Sequence, residues 1–352
     1  YKSCFFFNDT ATPWIYTLSL HDALPIFPGH RIIFNGPYKA EAAFKDAALT
    51  GATLNLDSHR DVEMLQAVAD AHPDKRISVV LRCNFALHDG GDISRFGMDT
   101  AGPEFAKALE VINATPALYL KGLHCHFPDR DLDSFGIRAQ KMVALLRHVF
   151  PDGPPEVLNI GGGYFSNMPD SLRAQFSAPP ATFADYGARV GAILRQAFDG
   201  VQPPALFLEP GTAIVADTQS FYTQVISTKT VRGKNFATVA GSAFDISPTA
   251  RSRGLPVTPV LGDQDRAPAE AQSFDVVGYT CIEKDILSED LIAPLRAGDY
   301  LRYDNVGSYS VVMRPPFILP ANPVLFDDVD GNDLHLIKRR QTTDDVFANF
   351  TF

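Results

Sequence analysis

The chain has 352 residues and a mass of 38.5 kDa, with 45% hydrophobic and 20% charged side chains. This composition is that of a globular protein and excludes a disordered, collagenous or low-complexity chain. The 31 basic and 41 acidic side chains give a net charge of −10. Such acidity disfavours non-specific binding to nucleic acids or anionic membranes, because both require a basic surface.

The four cysteines are Cys4, Cys83, Cys125 and Cys281, and they form neither a C-x-x-C pair nor a regular spacing. This pattern indicates a reducing compartment and argues against a disulfide framework or a zinc site. No apolar run approaches the roughly 18 residues that a membrane-spanning helix needs. We therefore expect a cytoplasmic enzyme with a small-molecule substrate and with neither a nucleic-acid nor a membrane partner.

Residues 1–26 have no signal-peptide layout and no regular hydrophobic period. Their sequence resembles a translated sequencing adapter. We expect a non-native leader that takes no part in the fold, with the native sequence starting near Phe27 and its own N-terminus missing.

Between residues 27 and 217 short apolar runs alternate with amphipathic stretches, which is typical of a parallel α/β architecture. The predicted strands are Arg31–Asn35, Thr53–Asp57, Ile77–Asn84, Leu118–Phe127, Glu156–Ile160 and Ala205–Glu209. Their continuous apolar runs indicate strands covered on both faces. The predicted helices include Arg60–Ala71, Glu104–Ile112, Phe135–Val149 and Phe183–Ala197. We interpret this region as a partial (β/α)8 TIM barrel that lacks its first two strands, with the site at the carboxyl ends of the strands.

From 218 to 352 the pattern changes to strands without long helices between them, which predicts a C-terminal antiparallel β domain, a sandwich or barrel. The predicted strands are Tyr222–Val231, Phe236–Val239, Phe274–Tyr279, Tyr300–Tyr303 and Tyr309–Met313. Proline- and glycine-bearing residues 247–268 suggest an irregular surface insertion.

Two features at predicted strand ends suggest a site for an anionic cofactor. Gly161, Gly162 and Gly163 follow a strand, and consecutive glycines allow backbone N–H groups to face a phosphate, although a plain tight turn explains them equally well. Glu209 ends the next strand, where a buried carboxylate needs a partner such as a cationic ring nitrogen. The alternative for Glu209 is a helix-capping acid beside a Pro-Gly turn.

His124-Cys125-His126 ends another strand, and alternation places both histidines on one face and Cys125 on the other. A histidine here could stack on a flat cofactor or be a satisfied polar residue. We expect no metal, because no carboxylate or cysteine cluster completes a ligand set at usable spacing. In the β domain, Cys281 and Tyr309 are by themselves compatible with ordinary packing.

Taken in order, the motifs resemble those of the fold-type III pyridoxal-phosphate (PLP) decarboxylases, the diaminopimelate/ornithine/arginine decarboxylase family. The motifs are FNGP (34–37), LDS (56–58), SRFG (94–97), GLHCH (122–126), GGG (161–163), EPG (209–211), C-x-x-x-D (281–285) and G-x-Y (307–309). The resemblance spans residues 29–352 and implies an alanine racemase-like barrel, PLP as cofactor and a homodimer.

The resemblance also implies roles for individual residues. Gly161, Gly162 and Gly163, with Gly211, Thr212 and Tyr309, would lie at the cofactor phosphate. His126 would stack on the ring, and Glu209 would keep the ring nitrogen protonated, so that the ring accepts the electrons left when CO2 departs. Cys281 would cross the dimer interface and reprotonate the carbanion in the partner's site.

Several positions depart from the family pattern. The lysine that binds PLP covalently in this family has no counterpart, since Lys39 follows FNGP on a later loop and Lys2 lies in the leader. Further departures are Thr212 for an arginine, Asp129 for a phosphate-binding serine, Ile282 for the acidic residue after the cysteine, and Ser247 for an arginine. We therefore expect an amino acid or a modified derivative as substrate, and we expect this chain to be inactive.

Two alternatives remain open. A racemase of the same fold would use PLP differently, but racemases of this fold usually carry an arginine where Glu209 stands. A non-catalytic homologue would act by binding partners.

Overall fold

A computed structural model describes residues 26–247, 254–260, 270–327 and 333–351, and the backbone alone of residues 5–7. The described chain divides into two compact units. The first holds the residues up to Ser166 together with Pro180–Ala213, and the second holds Asn167–Pro179 and everything from Ile214 onwards. Our predicted ranges differ from these units at residues 167–179 and 214–217.

The first unit is built on a parallel sheet. Its strands are β1 (Phe5–Phe7), β2 (Ile32–Phe34), β3 (Thr53–Leu56), β4 (Ile77–Asn84), β5 (Met98–Asp99), β6 (Leu118–His124), β7 (Val157–Asn159) and β8 (Ala205–Phe207). They are ordered β1-β2-β3-β4-β6-β7-β8, with β5 paired to β4, and every ladder is parallel. All six strands predicted here are present, and among the described residues β8 and β1 do not pair to close a barrel.

Five helices accompany this sheet: Glu41–Leu49, His59–Ala71, Pro103–Ala114, Leu132–Val149 and Phe183–Ala197. The last two begin at side-chain caps, because Asp131 accepts a hydrogen bond from Ser134 N and Thr182 forms a capping box with Asp185. The helices place apolar side chains against the strands, so that Leu54, Leu81, Leu123 and Leu158 are fully buried in one core.

Strand β8 departs from the prediction that every barrel strand is covered on both faces. Leu206 is 40% exposed and the neighbouring Leu208 is 42% exposed. The reason is its position at one end of the sheet order, where β7 is its single described neighbour.

Strand β1 lies within the predicted leader. Residues Phe5–Phe7 pair in parallel with Ile32–Phe34, contrary to our expectation that residues 1–26 take no part in the fold. Apart from β1 and Ile26, the leader lies outside the described residues.

The second unit contains a six-stranded sheet in the order β11-β14-β9-β10-β12-β13 and a two-stranded sheet, β15-β16. The strands are β9 (Phe221–Val231), β10 (Lys234–Val239), β11 (Val257–Val260), β12 (Gln272–Val277), β13 (Ile286–Ala293), β14 (Tyr300–Tyr303), β15 (Val324–Asp327) and β16 (Leu334–Lys338). The sheet is mixed and not purely antiparallel as predicted, because β10 and β12 run parallel. Its core includes Val225, Val239, Val276 and Leu301.

The predicted strand Tyr309–Met313 is wrong. Tyr309 has φ of +65°, a left-handed conformation outside the β region, and Ser310–Met313 forms a helical turn after it. A run of two valines is too short for its period to distinguish strand from helix. Other short helices are Asp170–Arg173, Ala243–Ile246 and Thr343–Phe347, while Thr212–Val215 lies at the boundary of the units.

The predicted insertion at 247–268 lies largely outside the described residues, and its described part includes β11. Within the described chain, no helix is both long and apolar enough to cross a membrane.

Candidate functional site

The carboxyl ends of β6, β7 and β8 bring the predicted cofactor residues of the first unit together. His124, Asn159 and Phe207 are register partners across the three strands, so the segments that follow them lie side by side. The backbone N–H of Glu209 donates to the carbonyl of Gly161 at 2.9 Å, which fixes the two loops against each other. His126, the glycine run and Glu209 are thus neighbours in space, as the sequence predicted.

The Glu209 carboxylate is held from several sides. Its Oε1 atom accepts a hydrogen bond from Asn159 Nδ2 at 2.9 Å and a longer one from Asn35 Nδ2 at 3.4 Å. His124 Nε2 lies 3.0 Å from Oε1, and His126 Nδ1 lies 3.1 Å from Oε2. With 11% of its side chain exposed, Glu209 is oriented and still open at one side.

The protonation of this cluster follows from burial and charge. Burial alone would raise the pKa of Glu209, but the adjoining His124 and His126 outweigh it and hold the pKa of the carboxyl well below its ordinary value. Burial lowers the pKa of His124, and the attraction of Glu209 offsets this only in part. The site therefore favours an ionised carboxylate at Glu209, beside the fully buried imidazole of His124.

The alternation predicted for His124-Cys125-His126 is confirmed. Both histidines meet Glu209, whereas Cys125 is fully buried in the apolar core. Burial raises the pKa of Cys125 to about 12, so its thiol is inert packing. The premise that no carboxylate completes a ligand set with these histidines is wrong, because Glu209 comes from 83 residues further along the chain.

The glycine run is required by close backbone packing. A Cβ on Gly161, whose φ is +72°, would lie 2.4 Å from the Cys125 carbonyl oxygen, and one on Gly162 would lie 2.2 Å from the Glu209 carbonyl oxygen. The Gly161 N–H donates to Asn159 Oδ1 and the Gly162 N–H to His126 Nδ1, at 2.9 and 3.1 Å. In the described structure these two N–H groups donate within the site, and a phosphate contact of the glycine run stays a prediction.

Arg138 is a site residue that sequence reasoning missed. It lies on the helix Leu132–Val149, is fully buried, and donates to the carbonyl oxygens of Gly162, Phe127 and Asp129 at 2.8, 3.2 and 2.5 Å. Its guanidinium carbon also lies 4.1 Å from the ring centroid of Phe135. The sequence feature that could have identified Arg138 is its spacing. It falls three residues after Phe135, on the apolar stripe of the helix.

Asp129, which we expected to repel a phosphate unless turned away, faces an exposed cluster. Its carboxylate lies within 4.8 Å of ligand atoms of His88 and Asp131, while its carbonyl is bound by Arg138. Gly211 is exposed, and Thr212 begins a short helix.

Cys281 and Tyr309 belong to the second unit. Cys281 is an exposed free thiol on the loop between β12 and β13, and Tyr309 is 47% exposed in its left-handed conformation. The buried Asp285 holds this loop, because its carboxylate accepts hydrogen bonds from Thr280 Oγ1 at 2.6 Å and from Ala243 N at 2.7 Å.

Lys39 is enclosed within the first unit. Its ammonium is fully buried and donates to Asp61 at 2.7 Å and to the Gly36 carbonyl at 2.6 Å. Burial lowers the pKa of Lys39, and the contact with Asp61 partly offsets this effect. A lysine that is paired and enclosed in this way has no free nucleophilic nitrogen.

The donor set of the first unit fits a pyridoxal ring. An oriented and ionised carboxylate is the partner that a protonated ring nitrogen needs, and the half-exposed His126 offers an aromatic face beside it. The two close glycine contacts leave no space for a side chain between His126 and Glu209.

Comparisons with known proteins agree with this geometry. The family model described as "Pyridoxal-dependent decarboxylase, pyridoxal binding domain" matches residues 23–216. The diaminopimelate decarboxylase of Mycobacterium leprae is 28% identical over 348 residues, covering 92% of this chain and 72% of that protein. The Deinococcus radiodurans enzyme of the same name is also 28% identical, over 91% of this chain and 77% of that one.

Solved structures show the same fold. A diaminopimelate decarboxylase from M. jannaschii has a TM-score of 0.82 at 20% identity, over 95% of this chain and 77% of that one. The Helicobacter pylori enzyme of the same name, complexed with L-lysine, has a TM-score of 0.76 at 21% identity, over 94% of this chain and 81% of that one. The TIM-barrel-like sheet followed by a β domain is therefore the fold of these enzymes.

The family match covers more than half of the chain and includes residues 27–166 and 180–213 of the first unit. The chain belongs to the pyridoxal-dependent decarboxylases, carboxy-lyases that use PLP to remove CO2 from amino acids.

Proposed function

We propose that the loops after β6, β7 and β8 hold PLP, with Glu209 at the ring nitrogen and His126 against the ring face. The observation that carries this proposal is the Glu209 carboxylate, oriented by Asn159 and kept ionised beside two histidines. PLP, when bound, supplies the electron sink for the pair left behind as CO2 departs. Glu209 serves that chemistry by holding a proton on the ring nitrogen.

The chain's own residues pre-arrange this site. Asn159 orients Glu209 through Nδ2 and the Gly161 N–H through Oδ1, so one buried side chain aligns the carboxylate and the glycine run. Arg138 fixes the Gly162 carbonyl by a buried hydrogen bond of 2.8 Å. Fixed donors of this kind cost no reorganisation during the reaction. We place the phosphate at Gly163, Gly211 and Thr212 of the first unit.

Glu209 favours decarboxylation over racemisation. A carboxylate that protonates the ring nitrogen strengthens the electron sink, which loss of CO2 requires. The oriented Glu209 carboxylate also favours a homologue that still binds PLP, because it offers the partner that a protonated ring nitrogen needs.

We propose an amino acid or a modified derivative as substrate. The similar enzymes are named as diaminopimelate decarboxylases, and one similar structure holds L-lysine. In this chain the residue after Cys281 is Ile282, which is 41% exposed and carries no charge for a distal amine. This argues for a substrate whose distal end is uncharged or conjugated.

We further propose a cytoplasmic homodimer in which Cys281 of each chain serves the partner's site. Three free cysteines, Cys83, Cys125 and Cys281, are consistent with a reducing compartment. We do not assign Lys39 to PLP, because its ammonium is enclosed and paired with Asp61.

The test is binding of pyridoxine 5′-phosphate, which carries the ring and phosphate of PLP but needs no lysine. Calorimetry should show one ligand per chain. Glu209→Gln removes the charge at constant shape and should weaken binding at least tenfold, whereas Glu156→Gln, at an exposed glutamate of the same unit, should not. Binding that is absent, or equal in Glu209→Gln and the native chain, would reject the assigned site.

A further inference from the structure

His124, His126 and Glu209 also have the donor types and spacing of a transition-metal site. Their ligand atoms all lie within 4.8 Å of one another, and the two nitrogen–oxygen distances are 3.0 and 3.1 Å. Around a tetrahedral zinc ion, with bonds near 2.0–2.2 Å, ligand atoms stand about 3.3 Å apart. A small outward movement of the imidazoles would therefore admit an ion between the three side chains.

A second, independent observation concerns His124. This imidazole is fully buried, and neither of its ring nitrogens has a hydrogen bond of acceptable geometry among the described residues. Nε2 nevertheless points close to Glu209 Oε1, at 3.0 Å. Buried polar groups are nearly always satisfied, so an unsatisfied imidazole directed at a carboxylate indicates a missing ligand.

The chemistry of the donors is suitable. Two imidazole nitrogens and one carboxylate oxygen are ligand types that zinc takes in proteins. Asn159 Nδ2 supplies the outer hydrogen bond that orients a ligating carboxylate. The ion would replace the hydrogen bond from Gly162 N–H to His126 Nδ1, and His126, 37% exposed, gives it a route in.

We propose that this chain binds one divalent transition-metal ion, with Zn²⁺ as the representative, through His124 Nε2, His126 Nδ1 and the Glu209 carboxylate. Three protein ligands leave a fourth position open. The ion occupies the place assigned above to the ring nitrogen, so metal and pyridoxal ring exclude each other. This exclusion rests on the proposed function, whereas metal binding itself does not.

The test uses the full chain, stripped of metal and titrated with Zn²⁺ against a chromophoric chelator, and with Co²⁺ as a spectroscopic probe. We expect one ion per chain and the visible absorption of four-coordinate Co²⁺. Glu209→Gln and His126→Gln should each lower the affinity for Zn²⁺ by about tenfold or more. His88→Gln is the matched control, because His88 belongs to the exposed His88–Asp129–Asp131 cluster. Circular dichroism checks that each variant is folded.

Absence of Zn²⁺ binding, binding retained in both site variants, or binding lost in His88→Gln would overturn the proposal.

A second experiment tests competition by titrating pyridoxine 5′-phosphate at increasing concentrations of Zn²⁺. We expect the apparent dissociation constant of pyridoxine 5′-phosphate to rise in proportion to the Zn²⁺ concentration. Simultaneous binding of Zn²⁺ and pyridoxine 5′-phosphate would refute the exclusion. If Zn²⁺ binds as expected but pyridoxine 5′-phosphate never does, the metal site stands and the proposed function fails.

Discussion

The guanidinium of Arg138 and the carbonyl of Gly162 form a buried hydrogen bond of 2.8 Å that ties the helix Leu132–Val149 to the proposed cofactor loop. The same guanidinium donates to the carbonyl oxygens of Phe127 and Asp129. One buried cation therefore links the segment after His126 to the glycine run, although it touches neither His126 nor Glu209 by any hydrogen bond. Arg138 is a positioning residue in this account.

Arg138→Leu should destabilise the chain by about 2–5 kcal/mol, because three carbonyl groups lose a charged donor in bonds that are buried at Gly162 and Phe127. Urea unfolding measures the change. Arg147→Leu, at an exposed position of the same helix, is the control and should change stability by less than about 1 kcal/mol. Equal effects of the two substitutions would contradict the positioning role.

Gly162→Ala should lower stability by about 1–3 kcal/mol, because the new Cβ would lie 2.2 Å from the Glu209 carbonyl oxygen and must displace that loop. The substitution should also weaken the binding of pyridoxine 5′-phosphate. Gly187→Ala provides the contrast, since its new methyl group would meet no atom within 4 Å beyond the backbone of its own helix and its chain neighbours, and helical alanine is favoured over glycine by about 1 kcal/mol. A neutral Gly162→Ala would show that the loops are not tightly packed there.

The buried His124 predicts a pH dependence of stability. Its folded-state pKa lies below the ordinary value of 6.5, so the unfolded chain binds a proton that the folded chain refuses. Stability should therefore fall as pH decreases below about 6.5, and His124→Gln should reduce that slope. The slope of stability with pH is measured from denaturant midpoints between pH 5 and 8. The control is His148→Gln, at an exposed histidine. An unchanged slope in His124→Gln would mean that His124 is not the group responsible.

Cys281→Ala should leave binding of pyridoxine 5′-phosphate unchanged and reduce formation of the amine product by about 10²–10⁴-fold, the usual contribution of a positioned proton donor. The assay supplies PLP already condensed with the amino acid, so that no lysine is required. If Cys281 only fills space, product formation should stay near the native rate.

The shared-site hypothesis has its own test. Mixing Cys281→Ala chains with Glu209→Gln chains should restore part of the activity, because one site of each mixed dimer keeps both groups. Activity in a verified monomer, or no restoration in verified mixed dimers, would refute it.

Local pattern was sufficient for much of the fold. Ile77–Asn84 and Phe183–Ala197 were predicted to the residue, because the first is a long apolar run and the second has a Thr182 cap followed by a clear helical period. Tyr309–Met313 failed because the conformation of one residue, Tyr309, decides it. The parallel pairing of β10 with β12 is a long-range choice that no local period encodes.

The site was predictable to the extent that it lies at strand ends. His126, Glu209 and the glycine run could be placed together from the parallel architecture alone. Asn35 and Asn159 were not recognised as partners of Glu209, because an asparagine near a strand end has many ordinary uses. Arg138 was missed because a charged residue on an apolar stripe reveals its role only when the backbone carbonyl groups around it are known.

The most direct test of the central claim is release of labelled CO2 from a carboxyl-labelled amino acid condensed with PLP. The native chain should release CO2 faster than buffer does, and Glu209→Gln should fall to the buffer rate while Glu156→Gln does not. No acceleration by the native chain, or equal acceleration by Glu209→Gln, would contradict the claim that the Glu209 site carries out the decarboxylation.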